Sequence, residues 1–335
     1  MILPAPETTA FEAFSSTNRF IENEIAARAL ALSFARGWID QWAQGASPDL
    51  EMDPEAERLL RGILENAGVL DAAMRLSPAF ATALQYRDLL EARLWFCNLV
   101  AIDIAAHFDQ LLTDVPAFMA HSRTFELFRY DLAMSLDEAD IAATSQWVRY
   151  TTALTKYEAP AALERVNLAD KRRMLDVGGN SGEFARQAVT RWPGLSATVF
   201  DLPGVCAIGR RHVGDDRRVS FQPGDLRRQG LPGGHDLISF KSMLHDWPDE
   251  EARDFLAKAV AALEPGGMLL IFERDRIDAR QGLPYWMVAN LVFLPFFRHA
   301  DIYRRWMEEL GLLYVEVSYT TLDMPFQLIV ARKAA

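Results

Sequence analysis

The segment Leu175 to Glu183 constrains the fold of this chain more than any other stretch. It reads Leu-Asp-Val-Gly-Gly-Asn-Ser-Gly-Glu, so an apolar run leads into a turn that contains Gly178, Gly179 and Gly182. Glycine has no Cβ atom, and a turn of this kind lets a ligand approach the backbone closely. The order predicts a β-strand that ends in a tight turn and is followed by a helix.

The spacing within this turn limits the class of ligand that it can bind. Asp176 stands two positions before Gly178 and six before Gly182. Dinucleotide sites use Gly-x-Gly-x-x-Gly, and phosphate loops end in Gly-Lys-Ser or Gly-Lys-Thr. The turn fits neither pattern, and we therefore predict a nucleoside that carries no phosphate chain.

Length, charge and cysteine content limit the class of protein. The 335 residues suffice for two domains, and the formal net charge of −11 argues against a nucleic-acid partner, which needs a basic face. Cys97 and Cys206 stand alone, without disulfide or metal spacing, which favours a reducing compartment. No metal site is predicted.

Two segments bear on localisation. Residues 1–7 lack the basic and apolar regions of a signal peptide. The uncharged, mostly apolar segment 283–297 is shorter than the roughly 20 residues that a membrane-spanning helix needs. We expect a cytoplasmic protein without a membrane partner.

The chain changes character near residues 160 to 170. Before that point it reads as mostly helical: one helix is predicted from an N-cap at Asp53 and Pro54 to a stop at Gly68, and a second apolar stretch at 94–108 indicates core or a subunit interface. The predicted apolar face of the first helix consists of Leu59, Leu60, Ile63 and Leu64. We predict domains at 1–165 and 166–335.

From Lys171 onward, short apolar runs alternate with helical segments, the pattern of a parallel sheet. The last two predicted strands lie close enough along the chain to form an antiparallel pair. The predicted strands are Arg173–Val177, Ala197–Asp201, Val219–Gln222, Asp236–Phe240, Met268–Glu273, Tyr314–Tyr319 and Gln327–Ala331.

Five of these strands end in polar residues, and parallel strands bring their carboxyl ends to one edge of a sheet. An acid after the second strand suits both ribose hydroxyls, and an acid beside an apolar residue after the third suits adenine. Each acid alone has another interpretation as a helix cap, and a lone histidine is commonly structural. Their convergence favours a site built from Asp176, Asp201, Leu202, Asp225, Leu226, Lys241, His245, Asp246 and Glu273.

These motifs occur in the order and spacing of a known family. Asp176-Val177-Gly178-Gly179, Asp201-Leu202-Pro203, Gly224-Asp225 and Leu244 to Glu250 resemble the S-adenosylmethionine-dependent small-molecule O-methyltransferases, of the caffeic-acid type and its bacterial natural-product relatives. The resemblance is strongest over 171–275. It implies an α/β fold with a Rossmann-like class I methyltransferase domain, which contains a mostly parallel seven-stranded sheet. This domain would follow an N-terminal, mainly helical, winged-helix-like dimerisation domain whose wing is nearly deleted.

The resemblance also implies roles for single residues. His245 would be the general base and Glu273 would orient it, with Asp246 completing the catalytic set. An imidazole, with an ordinary pKa of about 6.5, suits the removal of a phenolic proton whose ordinary pKa is about 10. The implied binding residues for S-adenosylmethionine are Asp176, Gly178, Gly179 and Gly182 for the methionine end, Asp201 and Leu202 for the ribose, and Asp225, Leu226 and Lys241 for the adenine.

One departure from the family concerns a second acid that normally precedes an Arg-Thr pair. Aligned back from Gly311, Arg298 matches the arginine, Phe297 falls on the acid and His299 on the threonine. The base would then be oriented by one carboxylate instead of two. His299 is either a replacement polar group or a surface histidine. Aromatic residues throughout 285–297 favour a flat, apolar or aromatic acceptor.

We therefore expect a homodimeric methyltransferase that acts on a hydroxyl of an aromatic or polyketide-like small molecule. Two alternatives stay open. One is carbon or nitrogen methylation on the same scaffold, and the other is an inactive cofactor-binding regulator or assembly partner. A winged helix is also a DNA-binding element, but the acidic charge balance favours dimerisation.

Overall fold

The computed structural model describes residues 9–335, and the expectation about a signal peptide at 1–7 lies outside the described residues. The chain forms two compact units. The sheet unit contains Phe125–Ile277 and Phe293–Ala335, and the helical unit contains Phe11–Thr124 and Asp278–Val292.

The sheet unit is built on a seven-stranded sheet in the order β3-β2-β1-β4-β5-β7-β6. Strands β1 to β5 are parallel, and β7 runs antiparallel to both β5 and β6. All seven predicted strands and the predicted antiparallel pair are confirmed. The strands are β1 Arg173–Val177, β2 Ser196–Asp201, β3 Val219–Pro223, β4 His235–Lys241, β5 Leu263–Arg274, β6 Leu313–Thr321 and β7 Pro325–Arg332.

Helices flank this sheet and make up most of the helical unit. The α-helices of the described residues are α1 Thr9–Asn18, α2 Glu24–Ala35, α3 Trp38–Ala43, α4 Pro54–Asn66, α5 Pro78–Ala83, α6 Arg87–Thr113, α7 Val115–His121, α8 Arg123–Leu127, α9 Glu138–Leu163, α10 Glu183–Arg191, α11 Pro203–Val213, α12 Asp249–Ala262, α13 Val288–Leu291 and α14 Ala300–Glu309. None of these helices is both long and apolar enough to cross a membrane.

The central strands are buried on both faces, which explains their nearly continuous apolar sequence. In β4, Ile238, Ser239 and Phe240 are all fully buried. The strand order reverses next to β1, because β2 lies on one side of it and β4 on the other. In open α/β sheets a ligand crevice forms at this switch point, at the carboxyl ends of the strands.

The helical unit confirms the predicted start of α4. The Asp53 side chain accepts a hydrogen bond of 2.9 Å from the backbone N–H of Glu55, and Gly68 ends the segment with a φ of +74°. Leu60 and Leu64 are buried, but Leu59 is 66% exposed. Leu59 belongs to the predicted apolar face but lies on its exposed flank, because a neighbour of Leu60 points about 100° away around a helix.

The segment between α4 and α5, for which we predict a nearly deleted wing, contains a single antiparallel bridge, from Leu70 to Leu76. The domain boundary near residues 160 to 170 stays a prediction. Helix α9 packs against α10 and α11, and the Gln187 side chain donates a hydrogen bond to the backbone carbonyl of Lys156. Helix α9 is therefore part of the sheet unit.

Candidate active site

The glycine turn after β1 is packed too tightly for side chains. Gly178 has a φ of +64°, and a Cβ atom there would lie 2.5 Å from Cγ of Met243. A Cβ atom on Gly179 would lie 2.5 Å from Oδ2 of Asp176. Gly182 has a φ of +77° and precedes α10. Glycine is thus required at each position for space, for backbone conformation or for both.

Asp176 lies beneath this turn and is fully buried. Its Oδ1 atom accepts a hydrogen bond of 2.6 Å from the Ser239 hydroxyl, whereas Oδ2 has no hydrogen-bond partner among the described residues. Burial raises the pKa of Asp176 to about 7, against the lowering effect of Ser239. Oδ2 is therefore an unused acceptor for a positively charged or N–H donor on a ligand.

Asp201 ends β2 and connects that strand to the glycine turn. Its carboxylate accepts hydrogen bonds from the backbone N–H groups of Asn180, at 2.8 Å, and Leu202, at 2.7 Å. Burial raises the pKa of Asp201 to about 6, although these two hydrogen bonds lower it. A carboxylate has about four lone-pair positions, so Asp201 retains unused acceptors, and its contact with a ribose stays a prediction.

The third strand brings Asp225 and Leu226 to the same edge, but with partners that the sequence analysis missed. Both oxygens of Asp225 accept hydrogen bonds of 2.8 Å from the Arg227 guanidinium, which holds the pKa of that carboxyl below its usual range. Leu226 is buried in the core cluster. An arginine two positions after the acid was the available signal. Contact of Asp225 with adenine stays a prediction.

Lys241 ends β4 and contacts a buried acid from α9. Its ammonium group contacts Glu158 and donates a hydrogen bond of 3.0 Å to the hydroxyl of Thr155. The other Glu158 oxygen accepts a hydrogen bond of 2.5 Å from Arg274 at the end of β5. Burial alone would raise the pKa of Glu158. The opposing effect of Arg274 and Lys241 is larger, so the pKa lies below its ordinary value.

These contacts give Lys241 a structural role that sequence reasoning missed. Its predicted place near the adenine stays a prediction. Glu158 is fully buried and lies on α9, where apolar and polar residues are mixed. The residues next to it in the sequence therefore did not indicate its burial.

His245 is buried in a 3₁₀ turn after β4, opposite Glu273 of β5. Its Nδ1 atom lies 2.5 Å from Oε2 of Glu273. The other Glu273 oxygen accepts hydrogen bonds from the backbone N–H groups of Met243, at 2.8 Å, and Leu244, at 2.7 Å. Burial raises the pKa of Glu273, but His245 and these hydrogen bonds lower it below its ordinary value.

The protonation of the pair follows from these contacts. An ionised carboxylate only accepts hydrogen bonds, so Nδ1 of His245 carries a proton and donates a hydrogen bond to Glu273. The lone pair of the neutral ring then lies on Nε2, which is the atom able to accept a proton from a substrate. Asp246 has its Oδ1 atom 3.6 Å from this Nε2.

The departure at residues 297–299 has a clear structural form. The rings of Phe297 and His245 lie 5.5 Å apart between centroids. Arg298 donates hydrogen bonds to the backbone carbonyls of Leu244, at 2.9 Å, and Trp247, so it supports the turn that carries His245. His299 is exposed and immediately precedes α14.

These features define an α/β protein with a glycine turn, two strand-end acids and a histidine–carboxylate pair at one edge of its sheet. The family model for an O-methyltransferase domain matches residues 111–284, more than half of the chain. The chain therefore belongs to the O-methyltransferase family.

Two curated relatives illustrate the sequence similarity. Demethylspheroidene O-methyltransferase of Rhodobacter capsulatus is 40% identical over 115 residues, covering 34% of this chain and 28% of that protein. The 3-hydroxy-5-methyl-1-naphthoate 3-O-methyltransferase of Streptomyces sahachiroi is 38% identical over 120 residues, 35% of each chain. The matched part is thus roughly a third of these relatives' length.

Similarity of the fold extends further than similarity of sequence. The crystal structure of human N-acetylserotonin methyltransferase, solved with S-adenosylmethionine, superimposes with a TM-score of 0.72 at 19% identity. The alignment covers 99% of this chain and all of that one. The fold of this chain is accordingly similar to that of a known methyltransferase.

Proposed function

We propose that this protein transfers a methyl group from S-adenosylmethionine to a hydroxyl of an aromatic or polyketide-like small molecule, with His245 as the general base. The observation that carries the proposal is the contact of 2.5 Å between Nδ1 of His245 and Oε2 of Glu273. It leaves Nε2 as the basic atom at the carboxyl ends of the strands, where ligands bind in this class of fold.

The residues around the glycine turn fit the cofactor. Asp176 offers an unpaired buried oxygen that suits the ammonium group of the methionine end, and Asp201 retains acceptors for the ribose. The absence of side chains at Gly178 and Gly179 permits close approach to the backbone. The cofactor supplies a sulfonium methyl group, which ends on the acceptor oxygen, with S-adenosylhomocysteine as the second product.

The chain's own residues manage the proton. Nε2 of His245 takes the hydroxyl proton as the acceptor oxygen becomes nucleophilic. Glu273 keeps the ring oriented through Nδ1 and stabilises the imidazolium that results. General-base catalysis contributes about 10²- to 10⁴-fold, and much of the remaining gain comes from holding the reactants together.

An aromatic surface beside the base supports the proposed acceptor class. The Phe293 and His245 rings form a T-shaped pair with centroids 5.5 Å apart, and the rings of Phe125 and Phe128 lie 6.4 and 6.1 Å from that of Phe293 between centroids. Such rings favour flat, apolar ligands. The name of the Streptomyces sahachiroi relative specifies a hydroxylated naphthoate, an acceptor of this class.

We further propose that two copies associate through the helical unit. Several of its large apolar side chains are exposed: Leu59 at 66%, Leu112 at 58%, Phe108 at 48% and Trp95 at 40%. Light scattering of the wild-type protein and of Phe108→Asp tests this. A dimer that the variant converts to monomer supports the proposal, and a wild-type monomer contradicts it.

The test of the reaction uses a donor with a deuterated methyl group and a panel of hydroxylated aromatic compounds. NMR of the product is expected to place the label on oxygen. A label on carbon or nitrogen would support the alternative methylation chemistry. Binding of S-adenosylhomocysteine without turnover on any panel member would support the inactive regulator.

A further inference from the structure

Tyr130 contacts Asp246, a carboxylate that lies on the Nε2 side of His245. Its hydroxyl donates a hydrogen bond of 3.0 Å to Oδ2 of Asp246, and Oδ1 of the same carboxylate lies 3.6 Å from Nε2. We propose that Tyr130 is a positioning residue that holds Asp246 beside His245, so that Asp246 serves as the second carboxylate of the base. This inference rests on the function proposed above.

The side of His245 where the family places its second acid is apolar in this chain. Phe297 is buried there, with its ring plane at 58° to the imidazole. Arg298 is already engaged by the backbone carbonyl of Leu244 and by Asp249. A second carboxylate can therefore reach the imidazole only from another direction, which Asp246 provides.

Packing fixes the position of the Tyr130 hydroxyl. The ring stacks on Trp247 at 5.7 Å with an interplanar angle of 28°, and it contacts Trp147 edge-on at 5.9 Å. Both indoles are rigid, so the phenol has little rotational freedom and its hydroxyl stays directed at Asp246. Fixed donors of this kind cost little reorganisation during a reaction.

The hydrogen bond also acts on the charge of Asp246. Burial is the largest influence and, together with the nearby Glu273, holds the pKa of Asp246 above its ordinary value, whereas His245, the Tyr130 hydroxyl and Arg274 lower that pKa. The phenol therefore favours the ionised carboxylate. Because Oδ2 is occupied by Tyr130, the lone pairs of Oδ1 remain for His245.

The distance of 3.6 Å indicates when Asp246 matters most. It exceeds a hydrogen bond, so the lone pair of neutral His245 stays available to the acceptor hydroxyl. Once Nε2 holds the proton, the ring is positive and Asp246 attracts it. An interaction that strengthens with charge development changes kcat more than substrate affinity.

A double-mutant cycle with Tyr130→Phe and Asp246→Asn tests the proposal. Tyr130→Phe keeps the stacked ring and removes only the hydroxyl. We expect it to lower kcat about tenfold, and Asp246→Asn to lower it about a hundredfold, from the ordinary worth of hydrogen bonds to charged groups. The double variant should match Asp246→Asn alone, because Tyr130 acts through that carboxylate.

Binding of S-adenosylhomocysteine should stay within about twofold of wild type in both single variants. Tyr314→Phe, at a side chain that is 77% exposed, is the matched control and should behave as wild type. A crystal structure of Tyr130→Phe should show Oδ1 of Asp246 displaced from Nε2.

Three results would overturn the proposal. They are an unchanged kcat in Tyr130→Phe, losses that multiply in the double variant, and loss of S-adenosylhomocysteine binding in Tyr130→Phe. A failure of the general-base assignment would give a different result, namely turnover by His245→Ala. A silent Tyr130→Phe beside an inactive His245→Ala overturns only the role of Tyr130.

Discussion

Nδ1 of His245 lies 2.5 Å from Oε2 of Glu273, and the other oxygen of Glu273 accepts two backbone hydrogen bonds from the turn that carries the histidine. One carboxylate at the end of β5 thus fixes both the ring and its backbone. The ends of β4 and β5 are neighbours because Lys241 and Phe272 pair in the sheet. The parallel register of β4 and β5 therefore brings these two side chains together.

Glu273→Gln should separate orientation from packing. The amide oxygen can still accept the backbone hydrogen bonds, which directs the amide N–H₂ group at Nδ1 and favours the wrong tautomer of His245. We expect kcat to fall by about 10²- to 10⁴-fold with little change in the KM of the methyl donor. Steady-state kinetics measure both. Glu264→Gln, on the same strand but paired with Arg173 near the surface, is the control.

Asp201→Ala should weaken cofactor binding. The carboxylate supports the glycine turn through Asn180 and retains acceptors for a ribose, so its loss should raise the Kd for S-adenosylhomocysteine by about ten- to a hundredfold. Isothermal titration calorimetry measures this, with Asp301→Ala on α14 as control. An unchanged Kd would show that the second strand does not hold the ribose.

Asp176→Asn should change the pH dependence of stability. Burial raises the pKa of Asp176 to about 7 in the native state, above its ordinary value of about 3.8, so the unfolded state ionises first as the pH rises. The wild type therefore loses stability between about pH 4 and pH 7, and the loss is complete above pH 7.

The variant lacks this loss. We expect the free energy of unfolding of Asp176→Asn, taken relative to that of the wild type, to rise by on the order of 2 kcal/mol from pH 5 to pH 8. Urea unfolding at the two pH values measures the difference, and the exposed Asp215→Asn should show none. A gain that is equal at both pH values would mean that Asp176 does not titrate in this range.

Lys241→Met should destabilise the protein. The substitution leaves the buried Glu158 with Arg274 as its remaining ion-pair partner, and removal of one partner from a buried pair costs about 3 kcal/mol. Arg253→Met breaks an exposed pair with Glu309 and should cost under about 1 kcal/mol. Denaturant unfolding measures both. A large loss of S-adenosylhomocysteine affinity with normal stability would instead favour the role of Lys241 beside the adenine.

The sequence predicted most of the sheet unit because its signals are local. The glycine turn, the alternation of strands and helices and the strand-end acids each follow from short-range spacing, and parallel topology then brings the strand ends together. The start of β5 was placed five residues late, at Met268 instead of Leu263, because Glu264-Pro265-Gly266-Gly267 reads as a turn. The exposure of Leu59 was not predicted, because the apolar face of a helix does not reveal which of its flanks is covered.

What the sequence did not predict depends on contacts between distant segments. Tyr130 contacts Asp246, which lies 116 residues away in the sequence, and Glu158 contacts Lys241, which lies 83 residues away. No periodicity or motif marks such partners, since each residue is unremarkable among its neighbours. The pairing of Asp225 with Arg227 was local, but an acid next to a basic residue has many possible partners until the backbone is known.

The most direct test of this account is turnover by His245→Ala, with His299→Ala as the matched control at an exposed histidine. Methyl transfer from a labelled donor is measured on an acceptor that the wild type methylates, and S-adenosylhomocysteine binding is measured in parallel. We predict that His245→Ala loses at least about a hundredfold in kcat while it binds S-adenosylhomocysteine as wild type does. Near-normal turnover by His245→Ala would contradict the assignment of His245 as the general base.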